Sequence, residues 1–224
     1  MTTLLIATRN THKVGEIRAI LGGQFHFLTL NDFPGVPAVV EDADTFAGNA
    51  TKKAVELARW LAAEHSKSNI QHPTPNFILA DDSGLEVDVL NGAPGVHSAR
   101  FAARDRNENS KDADNNAKLL RLLKETPLAE RTGRFRCVIA LVKINPPLAI
   151  QHPQIFDGAC AGRIRLEPRG HNGFGYDPLF VPDGFEQTFA ELGEEVKNKL
   201  SHRAKALEKL KGFLTTKEPR NQAC

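Results

Sequence analysis

An α/β fold, with a mixed sheet and flanking helices, is predicted by two observations. Strand-like apolar runs alternate with amphipathic helical stretches along the whole chain, as in sheets covered by helices. One pair of long runs, Arg134–Ile144 and Leu148–Ala161, is separated only by Asn145-Pro146-Pro147, so the sheet must also contain an antiparallel hairpin. At 224 residues and 41% apolar composition the chain can bury a sizeable core. No internal repeat or low-complexity tract interrupts it, and residues 1–224 read as a single domain that a cleft can divide into two lobes.

Taken in order, Thr3–Ala7 reads as a buried strand, Thr8–Thr11 as a turn and Lys13–Leu21 as a helix closed by Gly22-Gly23. A short strand over Phe25–Leu30 leads into a loop rich in proline and glycine. A long helix over Thr45–His65 follows, with Ala50, Ala54, Leu57 and Leu61 as its apolar stripe. Ser66–Asn76 is polar and proline-bearing, an exposed loop. Phe77–Ala80 is an apolar strand. Asp81-Asp82-Ser83-Gly84 reads as a turn, after which Leu85, Val87 and Val89 alternate with acids in a second, half-buried strand. Lys111–Lys124 is a charged surface helix, and Pro178 opens another strand through Val181. Glu195–Leu214 reads as one terminal helix with Leu200, Ala204, Leu207 and Leu210 on one side.

Charged residues make up 25% of the chain but the net charge is only +2, so no whole-protein basic field exists to hold a nucleic acid stably. A small anionic ligand met by local cations fits better. Cys137, Cys160 and Cys224 lack metal-ligand spacing and cannot all pair within the chain, which points to a reducing cytoplasm. No stretch approaches the ~20 apolar residues of a membrane-spanning helix.

Six segments can carry chemistry. Thr8-Arg9-Asn10-Thr11-His12-Lys13 sits where a strand ends and a helix begins, so free N–H groups, the helix dipole and Lys13 together make a phosphate seat; the alternative is a capped helix with a solvated lysine. On the long helix, Asn49 and Lys53 are one turn apart, and Lys53 can reach inward to a phosphate. Asp81 and Asp82 follow an apolar run, where two acids are costly without a cation. Neighbouring strand residues face opposite ways, so only one of them can face a given site, holding Mg²⁺ or taking a proton from water. An acid of Glu41-Asp42-Ala43-Asp44 can supply a second metal ligand, or only complement the helix dipole. Gly170–Pro178 holds glycines that permit close backbone approach, with Phe174 or Tyr176 able to stack on a base. Lys197 and Ser201-His202-Arg203 offer donors for the carbonyl oxygens of a base, or a solvated basic face.

In this order the segments closely resemble the inosine-triphosphate pyrophosphatase family. The likeness runs from Leu4 to about Leu210 and rests on TxNxxK from Thr8, TFxxNAxxKA from Thr45, ADDSGLEVDVLNGAPGVHSARFA from Ala80, GFGYDP from Gly173 and SHR from Ser201. The resemblance implies an elongated two-lobed α/β protein with its active site in the central cleft, usually a homodimer. It further implies Mg²⁺-dependent hydrolysis of a purine nucleoside triphosphate (ITP, dITP or XTP) to the monophosphate and pyrophosphate. Residue by residue, Thr8, Arg9, Asn10, Thr11, His12 and Lys13 would form the triphosphate turn, with Lys53 as a helper. Asp82 would be the general base and a metal ligand, Glu41 the second metal carboxylate and Ser83 a substrate contact. Phe174, Gly175, Tyr176 and Asp177 would line the nucleoside pocket, and Lys197, His202 and Arg203 would contact the base. Relatives often carry glycine at the positions of Arg9 and His12. Two alternatives stay open: a pyrophosphatase resembling the Maf family and acting on dTTP, UTP or modified pyrimidines, and a nucleotide- or RNA-binding protein without catalysis.

Overall fold

The structure, a computed structural model, describes residues 1–65, 74–103, 108–145 and 149–217. Its centre is a mixed sheet of order β2-β1-β3-β4-β6-β7, with the short β5 (Ala149–Ile150) paired to the end of β4. β1 (Thr2–Ile6) runs parallel to β2 (Phe25–Thr29) and to β3 (Phe77–Val87). β4 (Thr132–Asn145), β6 (Gln154–Ile164) and β7 (Phe180–Pro182) continue antiparallel, so the expected mixed sheet is present.

Side chains of β3 and β4 alternate between two cores. On one face Ile78, Ala80, Val138, Ala140 and Val142 pack under α2 (Phe46–His65), through the stripe of Ala50, Ala54, Leu57 and Leu61. On the other, Leu79, Cys137, Ile139 and Leu141 meet α1 (Thr11–Leu21) and α5 (His202–Lys217). A third core, beyond Gly84, gathers Leu85, Val87, Phe135 and Phe180 with Leu119 of α3 (Asp112–Leu122) and Phe189 of α4 (Phe189–Leu200). The helix ends follow local chemistry. Asn10 caps α1 by accepting the Lys13 N–H at 3.1 Å, and Gly22 ends it at φ 78°.

Four expectations need correction. Asp81-Asp82-Ser83-Gly84 is not a turn: β3 runs through it, every residue paired with β4 from Phe77↔Lys143 to Val87↔Gly133. Charged partners on both faces offset the cost of burying the two acids, and Val89 falls in a short 3-10 turn, Asp88–Leu90, rather than in a strand. The terminal helix is two helices. Ser201, extended at φ −67° and ψ 163°, ends α4, and its Oγ accepts the Ala204 N–H at 3.2 Å to cap α5. The second hairpin strand is split into β5 and β6, and the strand after Pro178 begins only at Phe180. Residues 66–73 of the expected exposed loop, the prolines of the hairpin turn and Cys224 lie outside the described residues.

Candidate active site

A cavity of ≈ 420 Å³ is lined by the β1–α1 turn, the segment from Val36 to Glu41, α2, the middle of β3 and the start of α5. Most of the residues marked out by the sequence converge on it: Thr8, Arg9, Asn10, Lys13, Glu41, Lys53, Asp82, Ser83, Phe174 to Asp177, Lys197, His202 and Arg203. Thr11 and His12 do not. They line a smaller cavity on the far side of Phe174, and the His12 ring stacks on Phe174 with centroids 5.3 Å apart.

The pleat of β3 gives the adjacent aspartates separate surroundings. Asp82, 5% exposed, faces α2, where Asn49 Nδ2 donates to its Oδ2 at 3.1 Å and Lys53 Nζ to its Oδ1 at 3.3 Å. Asn49 is itself fixed, accepting the Ala43 N–H at 3.0 Å. Glu41 Oε2 lies 3.4 Å from the same Lys53 Nζ. Burial raises the Asp82 pKa, Lys53 and Lys13 oppose that, and the charge of Glu41 adds to it; the net direction is upward.

Asp81, on the other face, is wholly buried. Lys13 Nζ lies 2.6 Å from Oδ1, and Arg203 Nη2 and Nε reach Oδ2 at 2.9 and 3.1 Å. Burial alone would raise this carboxyl, but Arg203 and Lys13 outweigh it and hold the pKa well below the usual range. Cys137 donates its thiol to the same Oδ2 at 3.5 Å.

Lys197 and Arg203 are tied together by a residue the sequence reading missed. Glu16 Oε1 lies 2.8 Å from Lys197 Nζ, and its Oε2 accepts from Arg203 Nη1. Its place was legible in principle, because Glu16 follows Lys13 by three residues on α1 and shares its face. Lys197 also meets Asp177 Oδ2 at 2.5 Å, and Arg203 donates to Ser83 Oγ at 2.7 Å. The Phe174 ring lies 4.5 Å from Lys197 Nζ and 5.9 Å from the Arg203 guanidinium carbon, an aromatic face beside two cations. Tyr176 is less a stacking surface than a brace, its hydroxyl donating to Ser98 O at 2.9 Å.

His202 stacks on Phe135, its ring centroid 4.8 Å away, and is 4% exposed. Burial, then the charges of Arg203 and Lys197, press its pKa well down, so the ring is neutral. Among the described residues its Nδ1 has no hydrogen-bond partner, and the ring lines the cavity. A buried, unsatisfied nitrogen here is a place for a ligand atom.

Glu41 and Asp82 fit a divalent cation. Two carboxylates converge on one ammonium, and the charge of Glu41 makes ionisation of Asp82 harder, a strain that a cation between them relieves. Among the described residues no cluster of three or more His, Cys, Asp or Glu is poised for a metal. Two carboxylates can supply half of a site that other oxygen ligands would complete, the usual habit of Mg²⁺.

The chain as a whole has known counterparts. The Ham1 family profile matches residues 4–213. A dITP/XTP pyrophosphatase from Geobacter sulfurreducens is 48% identical over 215 residues, covering 96% of this chain and 97% of its own length. Another, from Desulforamulus reducens, is 46% identical over 207 residues, with 92% of each chain covered. The solved structure of a HAM1 protein from Coxiella burnetii superposes with a TM-score of 0.77 at 37% identity, over 96% of this chain and 100% of that one.

Proposed function

The chain belongs to the Ham1 family, and from that premise we propose that it hydrolyses deaminated purine nucleoside triphosphates, ITP, dITP and XTP, to the monophosphate and pyrophosphate. The observation that carries the reading is Asp82, a buried carboxylate of raised pKa set between Asn49, Lys53 and Glu41 at the end of a cavity whose other end is Phe174, Lys197 and His202.

In this reading the phosphates lie along the β1–α1 turn, where Thr8, Arg9, Asn10 and Lys13 line the cavity. Asp82 accepts the proton of the water that attacks the α-phosphorus. Asn49 and Lys53 fix the two carboxylate oxygens of Asp82, and Lys53 and Lys13 offset charge developing on the pyrophosphate. Mg²⁺, held by Asp82 and Glu41, would screen the phosphates and acidify a bound water. Ser83 is held by Arg203, facing the same cavity. The purine stacks on Phe174, and the donors Lys197 and Arg203 with neutral His202 read a 6-oxo group. Adenine would set its 6-amino donor against those donors, and one buried donor left unpaired costs ~1–3 kcal/mol.

We read residues 1–224 as one two-lobed domain, a cytoplasmic homodimer; sedimentation at micromolar concentration tests the dimer. Cys137 and Cys160, both buried and unbridged, suit a reducing compartment, and among the described residues no helix is long and apolar enough to cross a membrane. The function is tested by measuring pyrophosphate release from ITP, XTP, GTP, ATP and dTTP with and without Mg²⁺. Release from ITP and XTP well above ATP and dTTP is expected. Failure to cleave ITP and XTP overturns the proposal, and a preference for dTTP would favour a pyrimidine-directed enzyme.

A further inference from the structure

The ion-paired groups inside the cavity are already neutralised. Lys13 faces Asp81, Lys53 faces Glu41 and Asp82, Lys197 faces Asp177 and Glu16, and Arg203 faces Asp81 and Glu16. Four cations thus meet five carboxylates, a formal excess of one negative charge, and Asp112 on the cavity wall adds a further acid. A nucleoside triphosphate brings several more negative charges. Beyond what a divalent cation at Asp82 and Glu41 would screen, its phosphates call for cations that no carboxylate has neutralised.

Two guanidiniums on the cavity wall meet that requirement. Arg9, in the β1–α1 turn, donates from Nη2 to the carbonyl of Val36 at 2.9 Å. Arg100, at the end of the 3-10 turn Gly95–Arg100, donates from Nη2 to the carbonyl of Glu41 at 2.8 Å. Among the described residues neither has a carboxylate within salt-bridge distance. The two carbonyls belong to one strap, residues 36–41, which forms a lip of the cavity and links Arg9 on one side to Arg100 on the other. A guanidinium has five N–H donors, and each of these spends one on a neutral oxygen. Gly84 brings Arg100 this near. A Cβ there would overlap the Gly95 carbonyl and the Ser98 hydroxyl, so only glycine lets the 3-10 turn lie against β3.

We propose that Arg100 is a triphosphate-binding residue that acts across the strap from Arg9 of the triphosphate turn, each pinning the strap through one N–H and directing its remaining donors to phosphate oxygens. The inference rests on the pyrophosphatase reading above and adds to it the two cations that offset the site's formal excess of negative charge. It is tested with Arg100→Ala, Arg9→Ala, their double variant and Arg100→Lys. Calorimetric titration with inorganic triphosphate, the KM and kcat for ITP, the affinity for IMP and the melting temperature are measured for each.

Each alanine variant is expected to weaken inorganic triphosphate binding about ten- to a hundred-fold, the loss typical of a hydrogen-bonded charge. KM for ITP rises with it, IMP binding suffers less, and Arg100→Lys recovers part of the loss because the charge remains. Unchanged affinity for inorganic triphosphate in the double variant overturns the inference. So does an equal loss for IMP and inorganic triphosphate that tracks a fall in melting temperature and that lysine does not recover, since that pattern means the arginines only hold the strap. Wild-type protein that binds inorganic triphosphate but releases no pyrophosphate from ITP overturns the pyrophosphatase reading instead, and leaves the phosphate contacts standing.

Discussion

Asp82 meets Asn49, Lys53 and Glu41 on one face of β3, while Asp81 meets Lys13, Arg203 and Cys137 on the other. Mutation should separate them. Asp82→Asn should nearly abolish pyrophosphate release with the melting temperature unchanged or slightly raised, because it removes a buried like-charge contact with Glu41. Asp81→Asn leaves Lys13 and Arg203 buried without their shared carboxylate, a cost of about 3–5 kcal/mol, which in a chain of this size lowers the melting temperature by roughly 10 °C. Lys13→Ala should impair both properties: kcat/KM falls, and stability drops by about 1–3 kcal/mol, since Asp81 keeps only Arg203. Calorimetry beside a pyrophosphate assay checks all three. His202 carries a pH signature. Its folded pKa is pressed well below the unfolded value of about 6.5, so its contribution is present above that pH and is lost progressively as pH falls below it. Denaturant titrations of His202→Asn should show a flatter loss of stability between about pH 6.5 and 5 than the parent protein. An equally steep decline in both would mean that another group titrates there. At this scale the sequence disclosed the residue types, because Asp, Lys and His announce their chemistry. It concealed their pairing. Glu16 looks like any solvated helix acid until α4 and α5 bring Lys197 and Arg203 to it.

Helices and strands were legible wherever burial was periodic. The α2 stripe and the run of β4 follow directly from apolar spacing. The misreadings fall where local chemistry and tertiary pairing disagree. Asp-Asp-Ser-Gly is turn-forming by composition, yet unbroken pairing with β4 keeps it extended. The helix break at Ser201 was hidden because Leu200, Ala204, Leu207 and Leu210 keep helical spacing across it. That break has a purpose in the site: it starts α5 at His202, so that Arg203 leaves the first turn toward β3 and His202 toward Phe135 of β4. The docking is close. A Cβ on Gly158 of β6 would overlap the His202 carbonyl and the Ala206 backbone nitrogen. Gly158→Ala should therefore displace the start of α5, costing about 1–3 kcal/mol or more and reducing activity together with stability. A variant that kept full activity at a lowered melting temperature would show that the helix start is not coupled to the site.

For the molecule as a whole, ligand binding should be visible as stability, because the cavity draws on the β1–α1 turn, α2, β3 and α5 together. A triphosphate held at a hundred times its dissociation constant adds about 2.7 kcal/mol, roughly 5–10 °C in this size range; thermal denaturation with and without ITP, with Asp82→Asn used to prevent turnover, measures it. The α/β class and mixed sheet could be read from the interleaving of elements, whereas the strap could not, since residues 36–41 have no periodicity and gain their position from Arg9 and Arg100. The doubled aspartate also fixes the alignment of the central strand. A slip of β3 by one residue in one direction would still offer Lys53 a carboxylate, Asp81, but would set Ala80 before Lys13 and Arg203. In the other direction Arg203 would keep an acid, Asp82, and Lys53 would face Ser83. Either misalignment costs a buried cation its aspartate, so the same two residues that divide the labour of the site also penalise every off-by-one pairing of the sheet that carries it.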